Sequence, residues 1–407
     1  MTVSLSWGAV RTRVYVVVVM LLFIAPALAY FLRGAPANLL VWGPGYENAA
    51  GTIAGNDFIA FYAAAEMVTE GAAAETYDAD IHAAKVDSII GVETVSPWGY
   101  PPSFLMLVVP LAFLPYLPAM WIWLGLFTGA LVLAIHRIAP HPLAPVLALI
   151  YPGAVHSLLS GQNGSLTAAL VAAGLYNLDK RPVLAGCFLG LLSYKPHLGV
   201  ILPVCLLAGG HFRSFAAMAA TAGTMAVLSA LALGLDTWLA FVEQIPQQMS
   251  YVSEGVMNWK RMPSVYVAVT RATASATAAS LAQFVVGAAA VATCGWVWWR
   301  SSDPPARAMA MTAGILLATP YLYEYDLAIL AAPVAYLAWE AWRGGLTRST
   351  ALALAVLWAA PLMMLILPGL TDQQLGPLFS VIILILAVAR CLISAPRNAR
   401  EGGISAH

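Results

Sequence analysis

Apolar runs that approach the length of a bilayer crossing recur from one end of this chain to the other, and no other feature constrains its fold as much. A helix needs roughly 20 predominantly apolar residues to cross a hydrocarbon core. Thirteen such runs fall at about 13–32, 101–117, 118–136, 143–158, 163–178, 182–194, 196–209, 214–235, 276–299, 306–320, 326–342, 348–367 and 375–393. Only 9% of the 407 residues are charged and the mean hydropathy is +0.81, so most of the chain cannot belong to a water-soluble domain. The expected fold is an all-α polytopic membrane bundle, a single integral-membrane domain over 1–407, without a 20 to 50 residue repeat.

Lys and Arg set the orientation, because basic loops stay in the cytoplasm. Arg11, Arg13, Arg137, Lys180, Arg181, Arg213, Arg300, Arg307, Arg343, Arg348, Arg390, Arg397 and Arg400 fall in segments that alternate consistently as cytoplasmic, thirteen of the nineteen basic residues. Only Asp179, Asp303, Glu340 and Glu401 accompany them among the acids. The opposite face, periplasmic or exterior, holds an external loop over 33–96, turns near Gly161 and Lys195, a second external loop over 236–274, and turns near Glu324 and Asp372. It carries fifteen of the nineteen acidic residues. The expectation is a multi-pass inner-membrane protein whose polar residues gather on the non-cytoplasmic side.

Both termini come out cytoplasmic, which requires an even number of crossings. Pro101, Pro102, Pro110, Pro115 and Pro118 break the helix within 101–136, so one run there is expected not to cross, leaving about twelve transmembrane helices. A single kinked span over 182–209 is the other way to lose one. The first run follows Arg11 and Arg13 as a signal peptide would, but it is long and Ala25-Pro26-Ala27 is a poor cleavage site, so an uncleaved span is expected. Cys187, Cys205, Cys294 and Cys391 have no ligand-type spacing and read as small buried hydrophobes. A net formal charge of zero gives no sign of a nucleic-acid partner. No Walker loop, HExxH, GxSxG or CxxC array is present, which removes the usual signatures of nucleotide hydrolysis, zinc proteolysis and serine hydrolysis.

Within the first external loop, residues from Phe58 to Glu70 suggest an amphipathic helix lying along the membrane surface, and a second short helix is expected from Ile81 to Ile90, closed near Gly91. Asp57, between the Gly55-Asn56 turn and the first of these helices, reads as a helix N-cap or as a catalytic carboxylate at the membrane mouth. Asp78-Ala79-Asp80 has the form of a metal-binding DxD, but a turn and N-cap explain it better. Tyr100-Pro101-Pro102 fixes where the chain enters the membrane. Gln162 and Asn163, in a tight turn between Gly161 and Gly164, either satisfy the turn or bind sugar hydroxyls. Lys195, beside Pro196 and His197, is flanked by apolar residues on both sides; such a cation is by default functional, with an anion as its partner, although snorkelling to a headgroup is the plainer reading. Lys260 and Arg261 offer a second phosphate-binding pair or a contact to anionic lipid. Tyr321, Tyr323, Glu324, Tyr325 and Asp326 form either an aromatic belt or a polar cluster whose carboxylates bind a sugar, assist Asp57 or pair with Lys195.

The ordered set Gly55-Asn56-Asp57-Phe58, Phe61-Tyr62, Thr76-Tyr77-Asp78, Tyr100-Pro101-Pro102, Gly161-Gln162-Asn163, Gly186 through Gly190 to Lys195-Pro196, and Thr319-Pro320 resembles glycosyltransferase family 87, integral-membrane transferases of the GT-C superfamily that include polyprenyl-phosphate-mannose-dependent mannosyltransferases. The similarity spans about 50–330. It implies a GT-C-type bundle, a polyprenyl-phosphate-linked sugar donor and a catalytic aspartate in the first external loop, which here is Asp57. Relatives carry histidine where this chain has Tyr323-Glu324-Tyr325, a departure that bears on the acceptor and the sugar.

An acceptor hydroxyl is a poor nucleophile, so a carboxylate within hydrogen-bond reach must take its proton; Asp57 is the expected base. Lys195, His197, Lys260 and Arg261 are expected to meet the donor phosphate, and Asn56, Tyr100, Gln162, Asn163, Tyr321, Glu324 and Asp326 the sugar and acceptor. Direct attack with one base implies inversion at the anomeric carbon. The expected partners are the lipid-linked donor, a lipid or glycan acceptor and membrane lipids. The chemistry needs no resident cofactor, with a divalent metal optional. A transporter or flippase would share the spans and the intramembrane charges, but internal repeats with broken spans in matching halves are not seen. A non-catalytic partner subunit would explain the helices but not why Asp57, Gln162, Lys195 and Glu324 share a face.

Overall fold

The computed structural model describes residues 25–26, 28–49, 51–91, 97–254 and 257–394. Most of the expected first span lies outside them, as do Arg11, Arg13, Arg397, Arg400 and Glu401. The described chain is helical, with no strand beyond the isolated bridges Val41↔Asn48 and Glu47↔Ile53.

The helices run α1 (28–39), α2 (Phe58–Thr69), α3 (Ala79–Ile90), α4 (Pro102–Val108), α5 (Tyr116–Ile138), α6 (Ala144–Leu149), α7 (Pro152–Leu159), α8 (Gly164–Asn177), α9 (Pro182–Leu191), α10 (Pro196–Gly199), α11 (Ile201–Ala208), α12 (Phe212–Leu233), α13 (Leu235–Ser253), α14 (Val265–Thr273), α15 (Ala276–Arg300), α16 (Pro304–Ala318), α17 (Ala331–Gly344), α18 (Arg348–Thr371) and α19 (Gly376–Ser394). Short 3-10 segments at Trp259–Arg261 and Glu324–Leu330 interrupt them. Five helices, α5, α12, α15, α18 and α19, are long and apolar enough to cross a membrane. Exposed Leu126, Leu231, Phe284 and Ile385 on these helices are what lipid-facing surfaces require.

Proline breaks the run over 143–158 at Pro152 and likewise opens new helices at Pro182, Pro196 and Pro304. These shorter helices stack around the long ones: α5 rests on α8, α9 on α12, and α16 on both α15 and α19. The cysteines behave as small hydrophobes, all free, with Cys205, Cys294 and Cys391 buried and Cys187 half-buried.

The described parts of the two segments expected as external loops are largely helical. The helix expected after Asp57 forms, but it is not a surface helix with one apolar face. Phe58, Ile59, Phe61, Tyr62, the Ala63-Ala64-Ala65 run and Met67 are all buried, because α3, α4 and the 109–113 turn close over it. Phe61 alone meets the rings of Trp98, Tyr100, Phe104 and Trp123. The 236–274 segment lies against the first loop and the residues just after it: the Phe241 ring of α13 meets that of Tyr77 at 5.7 Å, and Gln244 and Gln248 donate to the Trp98 carbonyl at 3.0 and 3.4 Å. Asp78 caps α3, accepting from the Asp80 and Ile81 amides, and Gly91 ends it at φ 75°.

Candidate active site

Asp57 owes its position to two touching turns. Its own backbone N–H donates to the Ser160 carbonyl at 2.9 Å, which joins the start of α2 to the turn between α7 and α8. Gly161 makes this possible: its φ is +73°, and a Cβ there would lie 2.0 Å from the Gly55 carbonyl oxygen. A second close approach, at Gly164, would set a Cβ 2.0 Å from the Tyr325 carbonyl oxygen and brings the 324–330 segment to the same place.

Although Asp57 occupies the N-cap position of α2, its side chain does not cap the helix. The carboxylate turns instead toward side-chain donors. Asn56 Nδ2 donates to Oδ1 at 2.8 Å, and Gln162 Nε2 and Arg261 Nη2 each donate to Oδ2 at 3.3 Å. Gln162 is oriented in turn, its Oε1 accepting from the Tyr100 hydroxyl at 3.3 Å and from the Asn163 amide at 3.2 Å.

Arg261 spans two carboxylates. Its Nε donates to Glu324 Oε1 at 2.5 Å, while Nη2 serves Asp57 and, at 3.3 Å, the Ser160 hydroxyl. The guanidinium also lies over the Tyr323 ring, 5.7 Å from its centroid. Burial opposes the Arg261 charge, but Asp57 and Glu324 outweigh it and hold the guanidinium above its ordinary value. For Glu324, which lies outside the long spans, burial wins over Arg261: the carboxyl is pushed up to about 7, with the Asp57 charge adding to the rise.

Lys195 sits deeper and is already neutralised. Its Nζ is 2.5 Å from Asp326 Oδ1, both side chains are nearly inaccessible at 2% and 3%, and the rings of Tyr100 and Tyr325 flank the ammonium at 5.9 and 4.9 Å. Asp326 Oδ2 accepts from the Tyr323 amide at 3.3 Å, so this carboxylate is engaged at both oxygens. The anion that a buried lysine demands is thus supplied by the protein. His197 packs its ring against Tyr321 at 5.7 Å, at the half-buried rim.

Eleven of the sequence-selected residues therefore share one neighbourhood: Asp57, Asn56, Tyr100, Gln162, Asn163, Lys195, His197, Arg261, Tyr321, Glu324 and Asp326. Lys260 does not join them. It points outward, 48% exposed, with Nζ 4.0 Å from Asp372 Oδ1. The expected Lys260–Arg261 pair is split because successive residues of a 3-10 turn point in different directions. Two contributors escape a sequence reading. Ser160 carries no signal beyond preceding the glycine turn, and the Tyr30 hydroxyl, 3.2 Å from His156 Nδ1, lies near enough to feel the charges of Glu324 and Arg261. No group of three or more His, Cys, Asp or Glu residues that could hold a metal ion occurs among the described residues.

The arrangement offers a half-exposed carboxylate ringed by amide, phenol and guanidinium donors, over a floor of stacked aromatic rings. That combination suits a hydroxylated substrate. No curated protein and no solved structure matches the chain. The family model of glycosyltransferase family 87 matches residues 98–320, a stretch that includes Tyr100, Gln162, Lys195 and Arg261 and leaves Asp57 and Glu324 outside its limits. With more than half of its length matched, this chain belongs to glycosyltransferase family 87 and is a membrane glycosyltransferase.

Proposed function

We propose that the enzyme transfers a hexose, mannose in the first instance, from a polyprenyl-phosphate-linked donor to a lipid or glycan acceptor on the non-cytoplasmic face, with Asp57 as general base. The observation that carries this reading is the Asp57 carboxylate itself. Its side chain forgoes the capping bond open to it, stays 23% exposed, and is held by Asn56, Gln162 and Arg261.

In the proposed reaction the acceptor hydroxyl donates to Asp57 and attacks the anomeric carbon as the lipid phosphate departs. Arg261 is the cation best placed to meet that phosphate, since it is 24% exposed and stands beside the base. Lys195 supports the site from behind through Asp326, and His197 lines the rim. Lys260 faces the surroundings and suits a lipid headgroup. Asn56, Tyr100, Gln162, Asn163 and Tyr321 supply hydrogen bonds and ring faces for the sugar. A single base on one side of the sugar gives inversion.

The test is transfer by purified enzyme in proteoliposomes, with label in the hexose of either a polyprenyl-phosphate donor or a nucleotide sugar. The expected result is label transfer from the lipid-linked donor, with an inverted anomeric configuration in the product. Transfer from the nucleotide sugar alone, or retention of configuration, would overturn the reading.

A further inference from the structure

Arg261 is shared by two carboxylates that differ in access. Asp57 is open at 23%, whereas the Glu324 side chain is 5% exposed and its Oε2 is buried without a hydrogen-bond partner among the described residues. One Glu324 oxygen is thus committed to Arg261 at 2.5 Å, and the other sits where a bare charge is costly and a proton is not. Arg261 has spare capacity: Nε and Nη2 are used, while no hydrogen bond of Nη1 occurs among the described residues.

The charges around this point are unbalanced. Lys195 and Asp326 neutralise each other, which leaves one guanidinium facing the carboxylates of Asp57 and Glu324. An anionic donor entering such a site meets an excess of negative charge unless one carboxylate gives way. Among the described residues, the groups that feel the Glu324 charge are Arg261, Asp57, Tyr323 and the Tyr30 hydroxyl, with His156 behind the last, and Arg261 is the only cation among them.

We infer that Glu324 is an exchangeable counter-ion. In the empty site it holds Arg261 across Asp57; a phosphodiester then takes over the guanidinium, Glu324 takes one proton from solvent, and Asp57 Oδ2 is released to accept the acceptor's proton. Glu324 is therefore a positioning residue that acts on Asp57 through Arg261, and the base is uncovered only when donor has arrived. This rests on the phosphate-linked donor proposed above, since a phosphodiester is the charged group of such a donor. That burial pushes Glu324 up to about 7 makes the exchange readable near neutral pH.

Binding measured without transfer separates this inference from the proposed reaction. The probe is a polyprenyl methyl phosphodiester, chosen because a monoester titrates near pH 6 by itself. With the purified full-length protein, affinity is expected to weaken about tenfold between pH 6 and pH 8, as the competent, protonated fraction falls. Glu324→Gln is expected to bind with little pH dependence and as tightly as wild type at pH 6, and Arg261→Gln to lose binding throughout. Dimethyl phosphate serves as the lipid-free arm. If it competes with the same pH profile, the phosphate alone drives the exchange; if it does not compete, the lipid-borne phosphate is the ligand, and both results uphold the role of Glu324. A pH-independent affinity in wild type, which needs no variant to fold, or a Glu324→Gln affinity that falls with pH as wild type does, overturns the inference. Sugar transfer accompanied by either of these results would leave the reaction standing and remove only the exchange.

Discussion

Lys195 and Asp326 show how a single residue's chemistry depends on its partner. A buried ion pair is costly to assemble, and removing one member leaves the other charged and unpaired. Lys195→Met is expected to destabilise the protein by roughly 3 to 5 kcal/mol, seen as a lower melting temperature in detergent. Adding Asp326→Leu is expected to recover most of that loss; a single variant that melts with wild type would contradict the pairing. Arg261 carries the complementary lesson. It and Lys260 are chemically similar neighbours in the chain, yet one is drawn in by Glu324 and Asp57 and the other faces outward toward Asp372. The sequence marks both as cations able to meet phosphate. Their separation was not legible, because the partners that decide it lie 204 and 63 positions from Arg261 along the chain.

At the scale of elements, hydropathy identifies apolar segments well and their breaks poorly. The run over 143–158 becomes α6 and α7, and 182–209 becomes three helices around Lys195; at Pro152 and Pro196 a proline at a helix start removes no needed hydrogen bond while ending the helix before it, and α11 follows from Ile201. The helix after Asp57 was legible in its position but not in its surroundings. Its alternating pattern suggested one wet face, and the covering elements come from residues 79–113. The glycine turn is the local device on which the site depends. Gly161→Ala would drive a Cβ against the Gly55 carbonyl and shift Asp57 from Gln162, whereas Gly91→Ala, at φ +75°, meets no atom of the described residues within 4 Å. Gly161→Ala is expected to lower transfer about a hundredfold, the effect of a displacement near 1 Å. Gly91→Ala should cost only about 1 kcal/mol of backbone strain and leave transfer intact. Equal transfer rates in the two variants would contradict a positioning role for the 160–163 turn.

Over the whole molecule, the ion pairs follow the pattern that the Lys and Arg residues set along the chain. Every ion pair among the described residues joins partners that the Lys and Arg pattern assigns to one face: Arg390 with Asp303 and Glu340 on one side, and the Asp57, Glu324, Arg261 and Lys195 cluster with the Arg271–Asp372 pair on the other. The expected partition rests on composition, because each loop must choose a side of the bilayer and the choice leaves its mark there. Which groups meet within a face is decided by short helices and turns, and that leaves almost no mark on composition. The account as a whole rests on Asp57 acting from the non-cytoplasmic end of this assembly. The most direct measurement is transfer of labelled hexose in sealed, oriented vesicles containing wild type or Asp57→Asn, with lipid-linked donor presented on one side at a time. The account predicts transfer only with donor on the non-cytoplasmic side, and a loss of about 100-fold or more in Asp57→Asn. Transfer by Asp57→Asn at the wild-type rate, or transfer confined to the cytoplasmic side, would contradict it.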